Sequence, residues 1–335
     1  MPPSVSVFGA AGFTGALTAR LLFGHPSFEL AAVTARADAG RRLDDLYPYH
    51  RVPLTLEPLD LDRHGEVDAA VVAYPHGAAA PLVAQLRQRG VRVVDLSADF
   101  RLRDRAVYEL WYREHVAPEL LGEAIYGLPE RYREQIRGAD LVANPGCYPT
   151  AALLALVPLA CAGLIGDVVI DAKSGASGAG RTASEKTHFV TVNENISAYG
   201  VAGHRHTPEI EQELAALGAP LSITFTPHLL PLDQGELVSC YVTLSPGAGE
   251  WTQLELEQLY ADAYGSEPFV ELAAAPPGVR DVRGTNICRI SVHRDPRTAR
   301  VIVFAAIDNL WRGAASQAVQ NLNLMFGLPE GEGIS

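Results

Sequence analysis

The sequence has little lysine, few cysteines and no long apolar run, and each scarcity narrows what the chain does. Only two of its 27 basic residues are lysines, Lys173 and Lys186, which fall in one short segment; the rest are arginine. Against 39 acidic residues they leave a formal charge of −12, which excludes the broad basic field that a nucleic-acid partner requires. Any basic site must be local. The four cysteines, at 147, 161, 240 and 288, have neither the paired spacing of zinc ligands nor the density of a disulfide framework. They read as free thiols, and no metal site is expected. No apolar run reaches the ~20 residues of a membrane span. The opening MPPSVSVFGA lacks the basic start, apolar middle and cleavage site of a signal peptide. The reading is a cytoplasmic protein with no membrane partner and a small-molecule substrate.

What is present is an ordinary globular composition, 48 % hydrophobic and 20 % charged, in 335 residues. That length exceeds what one core usually serves. The N-terminal half alternates short apolar runs with helix-like stretches: Val5 to Phe8, LAAVTA from Leu30, DAAVVAYP from Asp68, VRVVDLS from Val91 and ADLVANPG from Ala139. This is the pattern of a Rossmann-type, doubly wound parallel sheet in an α/β chain. After Cys147 an apolar helical run, TAALLALVPLA, leads into DVVIDAKSG, LSITFTPHLL, ELVSCYVTL, TNICRISVH and ARVIVFAAID. Several of these alternate as half-buried antiparallel strands do, so the second domain is expected to be α+β with a mainly antiparallel sheet. The expected division is 1–147 completed by a C-terminal helix within 310–335, and 148–309 between them.

Gly9-Ala-Ala-Gly12-Phe13-Thr14-Gly15 directly follows the first strand and opens a helix. Glycines there let the backbone approach a pyrophosphate whose charge faces the helix N-terminus. The spacing is GxxGxxG, a variant of the dinucleotide fingerprint. The second strand ends Thr34-Ala35-Arg36, with no acid to hold a ribose 2′-hydroxyl and an Arg suited to a 2′-phosphate. NADPH/NADP is the expected cofactor. Cys147, in NPGCYPT, falls near a helix N-terminus, where the dipole favours the thiolate that attacks. Cys161, Cys240 and Cys288 read as core. A hydride donor joined to an activated thiol points to carbonyl chemistry through a thioester. Such chemistry needs a proton donor, and Gly203-His204-Arg205-His206-Thr207-Pro208-Glu209 offers two imidazoles before a helix start, with Thr207 read as its N-cap.

Taken together, GAAGFTG, DLSADFRL, NPGCYPT, KSGASGAGR, GHRHTPE and AIDNL span nearly the whole chain. With them the sequence closely resembles the N-acetyl-gamma-glutamyl-phosphate reductases of arginine biosynthesis, a family similar in fold and mechanism to aspartate-semialdehyde dehydrogenase. The resemblance implies reduction of N-acetylglutamyl 5-phosphate by NADPH to the 5-semialdehyde, with phosphate released, by a homodimer or homotetramer. It makes Cys147 the nucleophile and gives proton handling to His204 or His206, with Glu209 placed to orient His206; both histidines stay open. Arg101, Lys173, Ser174 and Arg181 are the substrate candidates. Tyr74, His76, Ser97, Ser177 and Asn309 are expected along the cofactor with Gly9, Gly12, Phe13, Thr14, Gly15, Thr34 and Arg36. The rivals are a reductase of carrier-bound aminoadipate phosphate in lysine biosynthesis, aspartate-semialdehyde dehydrogenase itself, and an NADPH-sensing regulator without turnover.

Overall fold

The structure, a computed structural model, describes residues 1–334, and the chain divides into two units, 1–146 with 314–334 and 147–313. Cys147, expected to end the first unit, therefore opens the second.

Short runs of small and branched apolar residues build the first unit. They form β1 (Ser4–Phe8), β2 (Glu29–Thr34), β3 (Ala69–Val72), β4 (Arg92–Asp95), β5 (Ile125–Tyr126) and β6 (Leu141–Ala143). Every ladder is parallel, in the order β2-β1-β3-β4-β6-β5. All of β3 and β6 is buried, as parallel strands covered on both faces require. Helices α1 (Phe13–Phe23), α2 (Ala80–Gln88), α3 (Arg105–Trp111) and α4 (Pro129–Arg137) form the connections. The two-residue β5 carries no periodic signal and was not expected.

In the second unit, α5 (Cys147–Cys161) is apolar all round and almost wholly buried, the signature of a helix enclosed by its own domain. Pro158 lies inside it and removes the N–H that would satisfy the carbonyl of Leu154. The hydroxyl of Tyr264 donates to that oxygen at 2.7 Å, and Tyr260 donates to the carbonyl of Ala155 at 2.5 Å. Both tyrosines belong to α7 (Gln253–Tyr264), which follows α6 (Thr207–Ala215). The strands are β7 (Ile165–Gly175), β8 (Ser197–Ala198), β9 (Thr224–Leu230), β10 (Glu236–Leu244), β11 (Val270–Leu272), β12 (Cys288–Asp295) and β13 (Arg300–Ile307). They make a sheet in the order β11-β12-β13-β10-β7-β9-β8. It is mixed: the β7–β9 and β11–β12 ladders are parallel and the others antiparallel.

The chain then re-enters the first unit as α8 (Ser316–Met325), which is buried throughout although it carries Gln317, Gln320, Asn321 and Asn323. Buried amides need partners. The Asn321 side chain donates to the Gly127 carbonyl at 2.9 Å and to Asn144 Oδ1 at 3.0 Å, and Asn323 donates to the carbonyls of Glu330 and Glu332.

Candidate active site

The first unit offers a cradle at the C-terminal end of β1. Gly9 has φ +90°, and a Cβ there would meet the carbonyl oxygen of Ala73 at 2.5 Å. A Cβ on Gly15 would strike the carbonyl of Gly9 and lie 2.9 Å from Cα of Ala10. These two glycines serve the fold. Gly12 differs: its nearest neighbour would be Gly9 O at 3.7 Å, so its α face opens away from the protein. It is also the N-cap residue of α1, whose first-turn N–H groups lack intrahelical partners. An approaching pyrophosphate fits this arrangement, with Phe13 and Thr14 half-buried beside it. The Thr34 carbonyl accepts the N–H groups of Gly9 and Ala10 at 3.1 and 2.9 Å, Tyr74 approaches Thr34, and Arg36 is exposed just past β2.

The DLSADFRL motif braces this end of the sheet. Ser97 Oγ donates to Asp95 at 2.6 Å and accepts the Asp99 N–H at 3.0 Å. Asp99 in turn accepts the N–H groups of Gly77, Ala79 and Ala80 and the Tyr108 hydroxyl, fixing the loop that carries Tyr74 and His76. His76 Nδ1 accepts the Ala98 N–H at 3.0 Å. Arg101, read as a substrate cation, is instead buried, with its guanidinium donating to the carbonyls of Asn144 at 2.8 Å and Leu96 at 3.0 Å. It positions the strand end that leads to Cys147.

In the second unit Cys147 is the first residue of α5 and is partly exposed. Cys240 and Cys288 are buried, and burial pushes the Cys240 thiol up to about 12. Cys161 corrects the expectation of a core residue: it ends α5 at the surface and is exposed. Tyr148, next to the nucleophile candidate, accepts a hydrogen bond from the Tyr199 hydroxyl at 3.1 Å. Around them lie the rings of His204, His206 and Phe225, with His204 5.8 Å from Tyr148, 5.5 Å from Tyr199, 5.2 Å from Phe225 and 4.8 Å from His206.

This cage separates the two histidines. Burial, helped by the charge of Arg205, pushes His204 down to about 4, and its Nδ1 accepts the His206 N–H at 3.2 Å. His204 is therefore a neutral, proton-poor ring at physiological pH, its own proton on Nε2. His206 lies 6.0 Å from Tyr148, ring to ring. It, and not Thr207, is the N-cap residue of α6, because the helix already includes Thr207 as its first residue and Pro208 in its first turn. Glu209 is buried in the first turn of that helix.

The KSGASGAGR segment does not converge as expected. Side chains alternate along β7, so Ser174 is buried on the face that carries α5, while Lys173 lies on the opposite face. There its Nζ bonds Asp171 at 2.7 Å and Ser239 at 3.3 Å. Lys173 is not part of the group around Cys147. Ser177 donates to the Asp233 carbonyl at 2.6 Å. The Asn309 amide donates to Ser177 Oγ at 3.0 Å and accepts the Gly235 N–H at 2.8 Å, so the pair clamps the turn before β10. Arg181 is exposed.

Two residues escaped the sequence reading. Glu236 is fully buried at the start of β10, paired across the ladder with Ser174, and burial pushes its carboxyl up to about 8. It alternates with Val238, Cys240 and Val242, so an acid on the inward face was legible in the period. Gly313, in the π turn Trp311–Ala315, packs directly on Cys147; no local signal marks it. No group of metal-ligating residues occurs among the described residues.

A parallel dinucleotide-type sheet followed by a mixed sheet whose first helix opens on a cysteine defines the semialdehyde dehydrogenase class. The family "Semialdehyde dehydrogenase, NAD binding domain" matches residues 4–139, and "Semialdehyde dehydrogenase, dimerisation domain" matches 147–309. The fold is similar to that of aspartate semialdehyde dehydrogenase II from Vibrio cholerae, solved with ASA (TM-score 0.74, 19% identity, 98% of this chain and 99% of that one). It is also similar to aspartate semialdehyde dehydrogenase with NADP from Candida albicans (TM-score 0.70, 16% identity, 97% and 99%). Among curated relatives, the N-acetyl-gamma-glutamyl-phosphate reductase of Desulforudis audaxviator is 51% identical over 98% of this chain and 97% of its own length. That of Pelotomaculum thermopropionicum is 50% identical over 100% and 98%. The chain belongs to the N-acetyl-gamma-glutamyl-phosphate reductase family.

Proposed function

We propose that the protein reduces N-acetyl-L-glutamyl 5-phosphate to N-acetyl-L-glutamate 5-semialdehyde, releasing phosphate, as a step of arginine biosynthesis in the cytoplasm. The observation that carries this reading is the placement of Cys147, partly exposed on the first residue of a buried apolar helix and followed by Tyr148, whose ring both histidines approach. Its sulfur attacks the acyl phosphate carbon, the C–O bond to phosphate breaks, and the substrate is held as a thioester. The Gly9–Gly15 turn and the first turn of α1 would hold NADPH, with Arg36 available to its 2′-phosphate, and the bound cofactor would supply the hydride that takes the thioester to the aldehyde level. His206 serves the proton on the reacting oxygen, while His204, neutral and enclosed by aromatic rings, holds the turn that positions it.

The open face of the seven-stranded sheet supports a homo-oligomer. Helices α5, α6 and α7 belong to the face lined by Val238, Cys240 and Val303, leaving Leu237, Tyr241, Ile302 and Phe304 half-buried on the other. A second copy of the chain covers this apolar strip.

The test is the reverse reaction, with N-acetylglutamate semialdehyde, phosphate and NADP, following NADPH absorbance in the wild type and in Cys147→Ser. Phosphate-dependent turnover that vanishes in the variant is expected. Turnover only with aspartate semialdehyde or a carrier-bound aminoadipate semialdehyde would replace the substrate, and silence with all three would leave a sensor.

A further inference from the structure

Glu236 faces the helix-covered side of the sheet and is completely enclosed, yet neither carboxylate oxygen makes a hydrogen bond of normal geometry. Burying an acid this way is costly unless a nearby group shares its charge or proton. Two donors approach it, the thiol of Cys147 from the start of α5 and the hydroxyl of Ser174 from β7. Among the ionisable groups bearing on it are the phenols of Tyr148 and Tyr199 and the carboxyl of Asp308. Burial holds both phenols in their neutral form. Asp308 accepts the N–H groups of Gly284, Leu310 and Trp311 at 2.8, 2.9 and 3.2 Å. The Cys147 thiol, which donates toward Glu236, is the neighbour whose proton is transferable.

We propose that Glu236 is the base that receives the Cys147 proton as the sulfur attacks. The S–H bond breaks and an O–H bond forms on Glu236; one proton moves, the carboxylate charge passes to sulfur, and no electrons are exchanged with a third group. The proton returns when the C–S bond later breaks and the thiolate is regenerated. Burial lifts Glu236 to about 8, close to the ~8.5 of an ordinary thiol, so the transfer is nearly balanced. The N-terminus of α5 favours charge on the sulfur. His206 is then free to serve the oxygen alone. The inference rests on Cys147 being the nucleophile.

The experiment follows two pH profiles, from about pH 6 to about pH 10, across the titration range of a thiol–carboxyl pair. One is turnover in wild type and Glu236→Gln; the other is alkylation of Cys147 by iodoacetamide, read by peptide mass. Wild-type turnover should itself rise toward about pH 8 as Glu236 loses its proton. The variant should lie about 100-fold below it up to that pH and close the gap at higher pH, because solvent then removes the thiol proton. Wild-type alkylation should rise in two steps, as the coupled pair loses its two protons in turn, and the variant's in one. A deficit equal at every pH, or no deficit, would overturn the proposal. So would a single-step wild-type profile, which needs no variant to fold. If Cys147→Ser keeps its activity and wild-type Cys147 alkylates no faster than Cys161, the nucleophile assignment fails first and Glu236 with it.

Discussion

A Cβ at position 313 would lie 2.7 Å from the Cβ of Cys147 and 3.3 Å from Ile307. Neither neighbour yields easily, since one heads a buried helix and the other ends β13. Gly313→Ala should therefore displace the thiol by a fraction of an ångström. Because misplacement on that scale costs up to about 100-fold in rate, kcat is expected to drop at least about tenfold with KM for NADPH little changed. Steady-state kinetics of the variant, with its melting temperature as a control, decide the matter; wild-type turnover would mean that the contact relaxes freely. The residue scale is also where the sequence was least legible. A cysteine before an apolar run and a paired histidine motif announce themselves by type and position. Gly313 matters only because a π turn brings it back to residue 147, and no short window contains both.

At the scale of elements, the strand-turn-helix of residues 4–23 was readable because its glycines, apolar strand and helix are contiguous. The roles of the three glycines were not, since they depend on contacts with residue 73 and within the turn. Gly12→Ala leaves the fold unstrained but fills the space a pyrophosphate would approach; NADPH affinity should fall at least about tenfold, some 1.4 kcal/mol, with little change in thermal stability. Gly15→Ala overlaps the Gly9 backbone and should lose about 1–3 kcal/mol of stability. Fluorescence titration with NADPH and denaturant unfolding of both variants separate the cases; equal stability losses would end the distinction. Period-2 alternation similarly identified β10, β12 and β13. The scarcity of lysine drew attention to Lys173, whereas its place on β7, one residue before Ser174, puts it on the other face.

For the molecule as a whole, the uncovered strip of Leu237, Tyr241, Ile302 and Phe304 sets the expected assembly state. Phe304→Arg places a charge in the middle of that strip, where an apolar partner could not solvate it. Sedimentation equilibrium should show the wild type as a dimer or larger and the variant at a lower mass; an unchanged mass would put the contact elsewhere. Chain order matters at this scale too. The apolar strands of the first unit were legible apart from β5, but the buried amides of α8 gave no hydrophobic stripe to say how thoroughly that helix belongs to it. Those amides bind Gly127 and Asn144. A ribosome thus releases the whole nucleotide-type sheet, and then all of residues 147–313, before making the helix that completes the sheet's core. During synthesis the inserted unit is the first with all of its parts, and the N-terminal residues must wait, incompletely packed and in need of protection, for almost the entire chain to emerge.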